Sequence, residues 1–158
     1  MIKLFRIDHR LLHGQVAYSW TNALNANAIL IASDKVVNDV IRKEALKLAK
    51  PSGAKLVIKS IDDAIDAINS GVTDKYNLLI VVENIDDASK LAKKAHGVTS
   101  LNLGGIKKGD RTEQISKAIH LLPEEKKSLI NLMDDGLEIE IRQVPGDKKK
   151  VLSKSDLS

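Results

Sequence analysis

Eleven residues near the start of the chain, Arg6-Ile7-Asp8-His9-Arg10-Leu11-Leu12-His13-Gly14-Gln15-Val16, hold two imidazoles, two guanidiniums and a carboxylate. That set suits phosphoryl transfer. A neutral imidazole attacks phosphorus well near neutral pH, and the phosphoramidate it forms is reactive enough to hand the group on. The protein then has to supply positioning and cations around the phosphoryl oxygens. His13 is the candidate nucleophile, and Arg10, three residues earlier, offers a bidentate clamp. Asp8 can fix the imidazole's tautomer by accepting its other N–H. The backbone of Leu12, Gly14 and Gln15 is the candidate phosphoryl cradle. Gly14 lets main chain come close to a phosphate, and a helix starting there would present free N–H groups. His9 and Arg6 are auxiliary candidates.

Other chemistries compete for the same residues. His9 and His13 have the i, i+4 spacing of two metal ligands on a helix. Arg10, however, stands where the zinc peptidase motif needs its Glu, and no second His or acidic cluster completes a coordination shell. No metal and no other cofactor is therefore expected. The chain has no cysteine, which removes thiol nucleophiles, thiolate ligands and disulfides and fits a reducing compartment. On chemistry alone, a His that merely caps a helix remains open. So does a non-catalytic or regulatory module binding an anion at the same loop.

These groups need a frame. Short apolar runs recur at Ile2–Ile7, Ala28–Ala32, Lys55–Ile58, Leu78–Val82, Leu101–Leu103, Ala118–Leu122 and Leu137–Ile141. Several are rich in Ile and Val, as buried strands are. Helical patterns separate most of them. Leu12, Val16, Trp20 and Leu24 share one face, and Trp20 should pack that helix onto the sheet. Val37, Val40, Ile41, Leu46 and Leu48 mark a second helix, ended by Pro51 and Gly53. Ile61, Ala64, Ile65 and Ile68 mark a third, stopped by Gly71, and a fourth runs from about Asp86 to Ala95. A last helix starts at Pro123 and ends at Gly136. Strand and helix alternating four times predicts an α/β fold: one open, mostly parallel sheet of about seven strands with helices on both faces. Ligands of such sheets sit at the carboxyl ends of strands, which is where the first motif falls.

The motif also resembles a known signature. Residues 6–16 are similar to the active-site sequence of the IIB components of the mannose/fructose/sorbose family of the sugar phosphotransferase system, usually Arg-Ile-Asp-Asp-Arg-Leu-Ile-His-Gly-Gln-Val. The similarity continues to Asn102-Leu103-Gly104-Gly105 and Val144-Pro145-Gly146-Asp147. It implies an open, mostly parallel sheet and a phosphocarrier function. His13 would take a phosphoryl group from a IIA partner phosphorylated by HPr and pass it to a sugar held by the IIC/IID membrane complex. Arg10 would stabilise that group, and Asp8 matches the family acid. His9 departs from the pattern, standing where Asp is usual. It removes a negative charge beside the phosphoryl group and adds a donor, while position favours His13 as the carrier. Relatives of the glucose and lactose type use a cysteine, which this chain lacks.

Length and composition agree with a carrier. The 158 residues are read as a single domain, with a basic and flexible end from 146 to 158 that includes Lys148-Lys149-Lys150. The net charge of +4 is spread along the chain and aromatics are few, so no nucleic-acid partner is expected. No apolar run reaches the roughly 20 residues of a membrane span, so the protein is read as cytoplasmic and membrane-associated only through partners. Gly104, Gly105 and Gly109 with Arg111 are read as turn residues placed near the site, without the spacing of a nucleotide-binding loop, the alternative being a second phosphate-contacting loop. His96 and His120 are assigned no function. The sugar is not legible here, and a homo-oligomer remains compatible with the sequence.

Overall fold

Every strand of the central sheet but one runs parallel, because each is reached by a crossover rather than a hairpin. The structure is a computed structural model describing residues 1–158. In chain order its elements are β1 (Ile2–Asp8), α1 (Gly14–Leu24), β2 (Ala28–Ala32), α2 (Val40–Ala49), β3 (Lys55–Lys59), α3 (Ile61–Asn69), β4 (Leu78–Val82), α4 (Ile85–Lys94), β5 (Ser100–Gly105), β6 (Glu113–Ser116), β7 (Ile119–Leu121), α5 (Pro123–Asp134), β8 (Glu138–Ile141) and β9 (Lys150–Val151). Single 3-10 turns precede α2 and follow β9.

The sheet order is β3-β2-β4-β1-β5-β8-β9. The connections leaving the neighbours β1 and β4 depart in opposite directions, toward β2 and β5 respectively. The crevice this opens lies at the carboxyl end of β1, where Ile7 pairs with Val82 and Asp8 with Gly105.

Alternation along each strand divides the core. Phe5, Ile7, Leu101, Leu103, Ile139 and Ile141 point to the face covered by α3, α4 and α5. Leu4 points to the other face, beneath Trp20 of α1. By the same period of two, Arg6 and Asp8 of β1, Asn102 and Gly104 of β5, and Glu140 of β8 also lie on the α1 face. Beyond Leu4 the aliphatic core is therefore one-sided under β1, β5 and β8. The opposite side carries a stripe of polar groups.

The architecture is the expected α/β sheet of seven strands, with three differences in detail. The run Ala118–Leu122 does not enter the central sheet. It forms β7, which pairs antiparallel with β6 in a separate two-stranded sheet. Bonds between Ile106 and residues 118 and 120 hang that hairpin on the end of β5. The seventh place is taken by β9, antiparallel to β8. The segment read as a flexible end is thus folded back on the sheet, with Leu152 and Leu157 buried. Finally, the second helix is interrupted. Asp39 ends the 3-10 turn at Val36–Asn38 and caps α2, accepting from Arg42 N–H at 3.0 Å. Restarting at Asp39 rotates the apolar pattern, so Leu46 is buried while Val40, Ile41 and Leu48 face outward.

Candidate active site

The loop between β1 and α1 is shaped around one carboxylate. Asp8 closes β1, and the backbone then turns back so that Leu11 N–H bonds Asp8 carbonyl at 2.9 Å. The turn carries Leu11 in the left-handed region (φ 60) with its side chain buried, a conformation costing roughly 1–2 kcal/mol for a residue with a Cβ. His9 is held by its own N–H to the Gly105 carbonyl at 3.0 Å.

Asp8 is fully buried and both its oxygens are used. Oδ1 accepts from the Arg10 backbone N–H at 3.0 Å and from Arg10 Nε at 3.3 Å. Oδ2 accepts from Arg6 Nη2 at 3.1 Å and from His13 Nε2 at 3.0 Å. Burial pushes the Asp8 carboxyl up, but the Arg10 N–H, the His13 bond and the Arg6 charge together outweigh it and hold the group below its ordinary value. Asp8 is therefore an anion and can only accept. Its partner on His13 must be an N–H, so the proton sits on Nε2. Nδ1 is left with the lone pair.

His13 and Arg10 reach solvent, with 23% and 44% of their side chains exposed. Beneath them Arg6 is 3% exposed. Burial lowers the pKa of Arg6, and the charge of Asp8 opposes the change; a guanidinium remains protonated regardless. Gly14 and Gln15 are exposed at the first turn of α1, while Leu12 is buried in the α1-side core.

The start of α1 differs from that of every other helix. Asp39, Ser60 and Asn84 cap α2, α3 and α4 with side-chain oxygens, and Glu125 accepts from the Leu122 N–H ahead of α5. His13 stands at the cap position of α1 and makes no such bond, and the first turn holds no acid. Free N–H groups and the positive end of the helix dipole thus face the same opening as His13.

Six of the residues picked from the sequence meet here: Asp8, Arg10, His13 and Arg6 by side-chain bonds, Gly14 and Gln15 by the helix start. His9 lies alongside, its Nδ1 buried without a partner. Gly104 and Gly105 adjoin the site as strand residues rather than turns. Arg111 does not, pairing instead with Glu124 at 3.0 Å. His96 is exposed, and the His120 ring bonds the Ile106 carbonyl at 3.2 Å. Sequence reasoning missed Asn102 and Arg142, which lie behind Arg6. Asn102 had a signal, a polar residue between Leu101 and Leu103 of β5; Arg142 meets Arg6 through its backbone carbonyl, which no side-chain pattern announces.

Comparison with known proteins agrees with this fold. The family model described as the sorbose-subfamily IIB component of the phosphotransferase system matches residues 2–155. A sorbose-specific EIIB component from Lacticaseibacillus casei is 33% identical over 99% of this chain and 96% of its own length. The mannose-specific EIIAB component of Escherichia coli is 30% identical over 94% of this chain, which spans 46% of that longer protein. The crystal structure of the IIBSor domain of the sorbose permease from Klebsiella pneumoniae superposes with a TM-score of 0.89, at 30% identity, over 94% of this chain and 91% of that one.

Proposed function

The chain belongs to the sorbose subfamily of phosphotransferase-system IIB components, phosphocarriers for sugar transport, and on that premise we propose that His13 carries the phosphoryl group on Nδ1. The observation behind this reading is the 3.0 Å bond from His13 Nε2 to a buried, ionised Asp8, which leaves Nδ1 as the only ring nitrogen with a free lone pair.

In the first step Nδ1 attacks the phosphorus of a phosphohistidine on the IIA partner. The new N–P bond forms as the old one breaks, and its electron pair stays with the departing imidazole. The ring of His13 keeps its Nε2–H and becomes cationic. Asp8, 3.0 Å away, balances that charge. Arg10 and the open N–H groups of Gly14 and Gln15 stabilise the transferring oxygens, where little covalent assistance is required. In the second step a sugar hydroxyl in the IIC/IID complex attacks phosphorus. The N–P electrons return to Nδ1 and the hydroxyl proton departs to solvent.

The partly exposed imidazole above a buried acid suits a carrier that must meet two partners in turn. No helix is long and apolar enough to cross a membrane, so docking to IIC/IID relies on surfaces of the folded domain. We place the reaction in the cytoplasm, where the phosphorylated IIA protein would meet it.

Intact-mass analysis tests the assignment, after incubation with phosphoenolpyruvate, enzyme I, HPr and a IIA protein. Wild type and His9→Ala should each gain one acid-labile phosphoryl group, and His13→Ala none. An adduct that survives in His13→Ala and disappears in His9→Ala would move the carrier to His9.

A further inference from the structure

Arg6 is the most deeply buried cation in the chain, yet it lies too far beneath the surface to serve as an exposed clamp like Arg10. Both of its terminal nitrogens are engaged by the surrounding structure. Nη1 donates to Asn102 Oδ1 at 2.7 Å and to the Arg142 carbonyl at 3.0 Å. Nη2 donates to Asp8 Oδ2 at 3.1 Å. The guanidinium carbon lies 5.5 Å from the centre of the Trp20 ring, which also receives Arg142 at 4.9 Å. Asn102 is fixed in turn by donating to the Arg142 carbonyl at 3.1 Å, and Trp20 by donating Nε1–H to the Gln143 carbonyl at 2.9 Å. Beside it, a Cβ on Gly104 would overlap the guanidinium carbon and both terminal nitrogens. A strand residue with no side chain leaves the space that Arg6 fills.

We propose that Arg6 is a positioning residue for phosphoryl transfer, one that sets the rotation of the Asp8 carboxylate so that Oδ2 is presented to His13. This rests on the phosphocarrier reading above for its consequence, though not for its geometry.

The reason lies in a competition. Arg10 already engages Oδ1 through Nε and its backbone N–H. A mobile Arg10 could also take Oδ2, making the two-pronged pairing that guanidiniums and carboxylates favour. His13 would then lose its acceptor, and its proton could settle on either nitrogen. Arg6 opposes that exchange by occupying Oδ2 from beneath, anchored to β5 and to the backbone after β8. A lysine at position 6 would keep the charge. It could not reach Asp8, Asn102 and the Arg142 carbonyl at once, because its donors radiate from one atom.

The test is Arg6→Lys, read in two ways. In the unphosphorylated protein, long-range proton–nitrogen spectra of the His13 ring report the tautomer. Wild type should show the Nε2–H form alone, and Arg6→Lys a mixture. In single-turnover transfer from phosphorylated IIA, Arg6→Lys should be slower by about 10- to 100-fold, with unchanged affinity for IIA, as expected when reacting groups are slightly misplaced. A variant that retains the wild-type tautomer and rate overturns the proposal. The tautomer measurement does not depend on what the protein does. A wild type that accepts no phosphoryl group on His13 would therefore defeat the functional reading and with it the consequence for transfer, while the tautomer result would still decide whether Arg6 orients Asp8. If Arg6→Lys fails to fold, nitrogen-detected spectra of wild-type Arg6 decide. Separate Nη signals are expected for a guanidinium held on three sides, and a single averaged signal from free rotation would overturn the proposal.

Discussion

His13 Nε2 stands 3.0 Å from Asp8 Oδ2, so a side chain that faces solvent is tethered to one that water does not reach. The tether holds the ring while leaving its other nitrogen accessible.

Replacing the buried acid should separate shape from charge. Asp8→Asn keeps the volume but leaves Arg6 without its counter-ion, and an amide can offer His13 either an acceptor or a donor. We expect a loss of about 3–5 kcal/mol in stability, as when one partner of a buried pair is removed. Transfer to His13 should fall by about 100- to 1,000-fold. Urea denaturation and single-turnover phosphorylation measure the two. Wild-type transfer in Asp8→Asn would mean that the ring is oriented by something else.

The pH dependence has a definite sign. A carboxyl whose folded pKa lies below its unfolded value of about 3.9 contributes stability that is fully present above that value. The contribution is lost as pH falls through the folded pKa. The margin of wild type over Asp8→Asn should hold from about pH 7 to about pH 4 and shrink below it. Urea midpoints across that range provide the check, and a margin that widens on acidification would contradict the assigned shift.

Arg10 should behave in the opposite way to Asp8. Its side chain is 44% exposed, so its ion pair is screened and contributes less than about 1 kcal/mol. Arg10→Gln is expected to melt almost as wild type does, while transferring about 100- to 1,000-fold more slowly. Loss of stability comparable to that of Asp8→Asn would show Arg10 to be structural.

At the other end of the chain, Leu152 and Leu157 are 5% and 3% exposed. Leu152→Ala and Leu157→Ala should each destabilise the protein by about 2–5 kcal/mol, as expected of truncations in a packed core. Thermal or urea unfolding would detect this. A change below about 0.5 kcal/mol would mean that the end of the chain does not pack in solution.

Much of this architecture could be read from local pattern. The Ile- and Val-rich runs became parallel strands, Pro123 began a helix, and the cluster at residues 6–16 fell at the carboxyl end of β1. What failed depended on distant contacts. Nothing local distinguishes Ala118–Leu122 from a central strand; only its suspension from Ile106 does. Lys148-Lys149-Lys150 are solvated as read, but the segment around them folds back on the sheet through Leu152 and Leu157, whose packing partners are distant in sequence. Within the site, Asp8 and His13 were legible because they are five residues apart. Asn102 and Arg142 were not, being 96 and 136 residues from Arg6. The alternation of Asn102 with Leu101 and Leu103, and of Glu140 with Ile139 and Ile141, was visible, and it marked a polar face of the sheet without saying which group it served.

The space beside Arg6 has a consequence for inheritance. Position 104 can accept a side chain only if position 6 gives up its guanidinium, and a smaller residue at position 6 removes the reason for glycine at 104. Among related sequences the two positions should vary as a pair, with arginine and glycine kept together or replaced together. A lineage passing from one combination to the other by single steps must cross an intermediate that is either overfilled or hollow, and that barrier alone would keep the pair in place over long divergence.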